Sequence, residues 1–345
     1  MAGVRSRQFR LCDISMFDAG LQWGAPLPMK IDWYAPSGET SRASALPVNR
    51  PRVRATLGRL ANHVPWWGKV AAKVLLSRLP VGHRMWKQLG LFQHGAMEQP
   101  VYASSVFMKH FARVRSYLSG EGFVCLELGP GESLFSAMMA RACGASLCYL
   151  IDVGRFAVTD LPSYHGMARY MWEMGLSFPE LDNARTVMDV IDACHAVYET
   201  EGLDSLRKIP AGSVDFVWSH SVLQHVRRDE FVPLMRELHR VLRGGGVSSH
   251  VVDLGDCIGG GLNNLRFRDR LWESSFVATS GFYTNRIRYS QMIGLFRDSG
   301  FEVDLLHTYR WEHVPIAREK LSPSFHGLPD DDLAVSGFEV ILKAM

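Results

Sequence analysis

The stretch Val124-Cys125-Leu126-Glu127-Leu128-Gly129-Pro130-Gly131-Glu132-Ser133 constrains this chain most. An apolar run stops at an acid and two glycines, and Leu134 to Ala140 then continues with helical spacing. That order is strand, tight turn, helix N-terminus. Glycine reaches positive φ and carries no Cβ, so such a turn lets a ligand approach the backbone closely. A second apolar run, Ser146 to Ile151, ends in Asp152, 23 residues after Gly129. An acid at the tip of the second strand can accept hydrogen bonds from ribose hydroxyls. These residues predict a nucleoside-binding βαβ unit.

A dinucleotide fingerprint would need a third glycine at position 134, where Leu134 stands. The pattern Glu127-x-Gly129-x-Gly131 resembles motif I of class I S-adenosylmethionine-dependent methyltransferases instead. Ser213 to Val226, with Trp218-Ser219-His220-Ser221 at its centre, is similar to that family's fourth strand and following loop. An amphipathic helix from Phe231 to Leu242, the glycines 244–246 and an apolar strand from Val247 to Leu254 follow in order. The resemblance spans residues 105–345. It implies an α/β fold: a seven-stranded, mostly parallel, doubly wound sheet with an antiparallel terminal strand, behind an N-terminal helical and irregular extension. It implies S-adenosyl-L-methionine as cofactor, held by Glu127, Gly129, Gly131, Asp152 and Ser219. The adenine amino group falls to Asp204 or the backbone of Leu206, although Asp204 equally suits a helix N-cap. Two other classes stay open. A nicotinamide-dependent oxidoreductase lacks its third glycine here. An inactive binding or membrane-associated scaffold of the same fold would not need the acid at 152.

The 345 residues, with 47% hydrophobic content and a mean hydropathy of −0.03, suit a soluble globular chain with a substantial core. No apolar run approaches the length of a membrane span, and no apolar segment follows the arginines of Met1 to Gln8. A cytoplasmic location is expected. Cysteines 12, 125, 143, 148, 194 and 257 lack paired spacing and read as small buried hydrophobes. Residues 1–100 hold 14 Lys and Arg against 5 Asp and Glu, which leaves the remainder net acidic. The organisation expected is an irregular basic arm over 1–58, a helical extension over 59–119 and a methyltransferase domain over 120–345 with a substrate lid at 255–287. A helix from Pro65 to Leu79 would pack its Trp67, Val70, Val74 and Leu75 stripe on the catalytic domain or make a peripheral membrane contact. Leu76 to Pro80 with Leu91 to Met97 is similar to bacterial methyltransferases associated with surface polysaccharides. Oligomeric state is left open.

Methyl transfer from a sulfonium is an in-line displacement on an activated donor, so the protein mainly positions the partners. A base is needed only where the acceptor must lose a proton. His220, His225, His250 and Asp253 lie at or after strand ends; His225, well into the following segment, reads as structural, which leaves His220, His250 and Asp253 as catalytic candidates. His250 and Asp253, three apart on a strand, should face opposite sides, and no metal site is expected. The Asn- or Asp-Pro-Pro-Tyr loop of enzymes that methylate exocyclic amines is absent after strand four, which disfavours nucleic acid as acceptor. Arg266, Arg286 and Arg288, with Arg268 and Arg270 beside them, suit either an anionic acceptor, through forked contacts to phosphate or carboxylate, or pairing with Asp269 and Glu273 within the chain. The expected acceptor is a small molecule or glycan, methylated at oxygen.

Overall fold

A computed structural model describes residues 96–345, apart from 180, 258 and 259, together with Gly68. The expectations for the basic arm, for the helix over 65–79 and for residues 76–95 fall outside the described residues. Seven strands form one sheet: β1 (Val124–Leu128), β2 (Leu147–Ile151), β3 (Ala196–Glu199), β4 (Val214–His220), β5 (Leu242–Asp253), β6 (Phe301–Arg310) and β7 (Val335–Ala344). Their spatial order is β3-β2-β1-β4-β5-β7-β6. The first five are parallel, and β7 runs antiparallel to both β5 and β6. The last strand of the chain is the antiparallel one, as the resemblance implies, but it lies inside the sheet and β6 forms the edge.

Helices cover both faces, which is why the central strands read as nearly continuous apolar runs. Helix α1 (Pro100–Val114) opens with a proline, whose missing N–H costs nothing in a first turn. It packs with α2 (Phe135–Ala142) and α3 (Leu161–Glu173) over Cys125, Cys148, Phe216 and Trp218. On the opposite face, α6 (Phe231–Val241) and α9 (Tyr289–Asp298) cover Leu126, Val217, Val252 and Val340. Between α3 and α6 lie α4 (Val187–Ala193) and α5 (Leu203–Arg207). A capping box of Thr186 and Asp189 starts α4 at Val187.

The glycines expected to separate α6 from β5 lie inside β5. Val214 pairs with Leu242 and Phe216 with Val247, so residues 243–246 bulge out of the ladder. A Cβ on Gly246 would stand 2.9 Å from the Arg243 carbonyl oxygen and 3.2 Å from that of Asp215, so only glycine fits there. After β5, the segment to Arg288 holds α7 (Asp269–Trp272) and α8 (Ser275–Ala278) around a small core of Trp272, Val277, Phe282 and Tyr283. The short helix α10 (Asp330–Leu333) leads into β7. No described helix is long and apolar enough to cross a membrane.

Candidate active site

Gly129 and Gly131 turn the chain out of β1 with φ of 72° and 67°. Their surroundings differ. A Cβ at Gly129 would meet Val222 Cγ2 at 2.6 Å, whereas one at Gly131 would meet nothing within 4 Å. Gly129 is therefore fixed by packing, and Gly131 is the place where the backbone stays open to a ligand. Asp152, at the tip of β2, accepts from the Gly131 N–H at 3.0 Å and the Val153 N–H at 2.7 Å, one on each carboxylate oxygen. Each oxygen keeps a lone pair for a ribose hydroxyl. Burial raises the Asp152 pKa, and the two backbone donors oppose that shift. Glu127 is enclosed further back, where the Ser136 hydroxyl donates to it.

Beside Asp152 lies a cavity of about 540 Å³ lined by Val153, Gly202, Leu203 and Glu201 among others. Its size falls within the range of small-molecule sites. Sequence reasoning missed Val153, Glu201 and Leu203, although Val153 directly follows the strand-tip acid. Asp204 also lines this cavity, but it is exposed and paired with Arg207 at 2.7 Å. It lies in the first turn of α5, whose N-cap is Gly202, so it is not the N-cap that the sequence allowed. The Leu206 side chain is buried among the apolar residues under α6, and its carbonyl accepts from Arg240 at 3.0 Å.

The strand-four loop divides by face. Glu127 is level with Trp218 in the β1–β4 ladder, which sets His220 level with Gly129 two residues on. Phe216, Trp218 and His220 point to the α1 face, as alternation requires. Phe107 meets Trp218 edge-on at 5.5 Å, and one helical turn later His110 meets His220, with Nε2 3.2 Å from Nδ1. His110 Nδ1 lies 2.8 Å from the Ser249 hydroxyl, on the strand beside Trp218. Burial first, then the cations of Lys109 and Arg113, push the His220 pKa down to about 4. Those cations share one buried carboxylate, Glu339 on β7, which also accepts from the Tyr309 hydroxyl at 2.6 Å.

Ser219 and His250 point the other way. Both are wholly buried, and the Ser219 hydroxyl is 2.7 Å from His250 Nδ1. Burial lowers the His250 pKa to about 3. The structure thus corrects the expected grouping: His250 and the Ser219 side chain are internal to the opposite face of the sheet. Asp253 is exposed at the end of β5 and accepts from the Gly255 N–H at 2.7 Å. His225 sits with Nδ1 2.7 Å from the Tyr283 carbonyl.

Two of the three expected acceptor arginines are also internal. Arg288 is 2% exposed and donates to the carbonyls of Leu254, Asp332, Leu333 and Val335. The Arg286 side chain is enclosed between the rings of Trp272 and Phe325, bonded to Asp269 at 2.6 Å and Glu273 at 3.2 Å. Both guanidinium groups are held by the chain itself, which removes them as contacts to an anionic acceptor. Arg266 bonds Asn263 at 3.1 Å.

Residues 166–249 match the family model described as "Methyltransferase domain". That segment of the chain is thus part of a methyltransferase domain. No curated protein matches it. Among solved structures it is similar to a methyltransferase of Methanosarcina mazei, with 16% identity over 68% of this chain and 97% of that one and a TM-score of 0.40. A putative methyltransferase from Listeria monocytogenes gives 16%, 70%, 98% and 0.37, and one from Mesorhizobium loti 16%, 68%, 97% and 0.37. S-adenosylmethionine is the cofactor that a methyltransferase domain implies here. The residues present fit it: open backbone at Gly131, the Asp152 carboxylate, and a cavity with Val153 and Leu203 as apolar walls. When bound, it supplies an electrophilic methyl group.

Proposed function

We propose that this methyltransferase acts on a hydroxyl of a small molecule or glycan, with His220 as the general base. Glu127, Gly131 and Asp152 form the donor side of the crevice, with Val153, Glu201 and Leu203 facing the adenine end and Asp204 at its rim. The observation that carries the reading is the position of His220: a half-buried imidazole at the carboxyl end of β4, level with the glycine turn. Open α/β sheets bind their ligands at such strand ends. Its Nδ1 faces His110, so Nε2 is the nitrogen available to an acceptor. A hydroxyl needs a base because the oxygen must lose its proton as it is methylated, and a histidine that stays neutral can take that proton. The acceptor is assigned by its hydroxyl and not by charge, since Arg286 and Arg288 are internal.

A screen of sugars, glycans and phenols for acceptor-dependent S-adenosylhomocysteine formation tests this. The expected result is turnover by the parent and a loss of about 100-fold or more in His220→Ala, with donor affinity little changed. Parental turnover by His220→Ala would remove the base from the reading.

A further inference from the structure

His110 is wholly buried, fixed at both ring nitrogens, and belongs to none of the sequence motifs of the donor site. We propose that His110, braced by Ser249, is a positioning residue that holds His220 as its Nδ1–H tautomer and so leaves Nε2 unprotonated toward the acceptor. The inference rests on the reading of His220 as the base.

The argument is one of proton counting. A neutral imidazole has one N–H, so two rings joined through Nε2 and Nδ1 have coupled tautomers, and only two arrangements exist. In the first, His220 Nδ1–H donates to His110 Nε2, His110 Nδ1–H donates to the Ser249 oxygen, and His220 Nε2 carries a lone pair. In the second, every bond is reversed, and His220 Nε2 already bears hydrogen. Only the first can receive the proton of an acceptor hydroxyl: the O–H bond breaks, N–H forms at Nε2, and the new imidazolium keeps Nδ1–H bonded to His110. The second hydrogen bond of a histidine sets which nitrogen is protonated.

The surroundings keep both rings uncharged. Burial, then His220, Arg113, His250 and Lys109, hold the His110 pKa well below the ordinary histidine value. Glu339, the carboxylate that faces this cluster from β7, is bonded to Lys109 and Arg113 and not to either ring. A second positive charge next to His110 is thereby resisted. The proton taken up by His220 stays on His220 and does not pass inward.

The test reads the tautomer directly. In full-length protein labelled with ¹⁵N-histidine, long-range ¹H–¹⁵N spectra report which ring nitrogen bears hydrogen, with His220→Gln to assign the signals. The parent should show protonated Nδ1 and bare Nε2 at His220. His110→Phe keeps an aromatic ring but removes the acceptor, and His220 should shift toward Nε2–H, the form a free side chain prefers. His110→Gln offers an amide oxygen to Nδ1–H and should restore the parental pattern, with donor affinity in both variants within about twofold of the parent. A parent spectrum with Nε2–H at His220, or an unchanged tautomer in folded His110→Phe, would overturn the proposal. If His110→Phe does not fold, the parent and His110→Gln spectra decide alone. No turnover is needed for this measurement, so it can fail while His220→Ala still abolishes methyl transfer, and the reverse.

Discussion

Glu127 is a carboxyl with little water around it. It is the penultimate residue of β1, 3% exposed, and its pKa is raised to about 8, chiefly by burial, with the Asp152 charge adding and the Ser136 hydroxyl opposing. Its unfolded value is near 4.5, so between those limits the folded protein holds a proton that the unfolded chain releases. Stability must then fall as pH rises from about 4.5 to about 8. Glutamine in its place can still accept from Ser136 and cannot ionise. Glu127→Gln should therefore gain stability relative to the parent across that window, by an amount on the order of a few kcal/mol at its upper end. Denaturant unfolding of both proteins at acidic, neutral and mildly alkaline pH measures the difference. The parent keeps a slope from Asp152, whose pKa is also raised mainly by burial, so the comparison between proteins is the informative quantity. A stability difference independent of pH would mean that Glu127 titrates as an ordinary surface acid.

Arg288 works at the scale of elements. One guanidinium ties the exit of β5 at Leu254 to α10 and to the first residue of β7, through four carbonyl acceptors. Arg288→Met keeps apolar length but strips those carbonyls of their donor, and should lower unfolding stability by about 3–5 kcal/mol. Arg288→Lys should rescue little, because an ammonium cannot reach around the same fork. Acceptor KM should not depend on salt through this residue. Thermal melts beside acceptor kinetics separate the two roles; a selective KM rise with an unchanged melt would return Arg288 to the acceptor site. The arginines also explain what a sequence does and does not disclose. The strand–glycine turn–helix unit and Asp152 are legible because their residues are near neighbours in the chain and their types are restrictive. Arg286 and Arg288 attract attention by local density, yet the acceptors of Arg288 are backbone carbonyls, which any residue supplies and no pattern encodes. His110 stands 110 residues before His220, and only the packing of α1 on β4 brings them together. The opposite facing of Ser219 and His220 follows from strand alternation alone, and could have been drawn from the sequence.

At the scale of the whole molecule, donor binding and folding are linked. A ligand that binds only the folded form at 100 times its Kd adds about 2.7 kcal/mol of stability. Asp152→Ala should weaken the donor about 10- to 100-fold, and at the same donor concentration the gain should shrink to about 0.4–1.4 kcal/mol. Melts with and without S-adenosylmethionine check this, and an equal shift in parent and variant would detach Asp152 from the ribose. The seating of β7 has a further consequence, in the time domain. That strand lies between β5 and β6, yet it is made after both. While a ribosome is still extending the chain toward residue 335, β5 has an open edge and β6 has no neighbour in the sheet. Glu339, which fastens Lys109 and Arg113 of the first described helix, is likewise still to come. The roof over His220 therefore cannot lock during synthesis of the parallel strands. A nascent chain halted before β7 presents an unpaired edge of the kind that associates with other chains, and its need for protection ends only when that last-made strand slides into place.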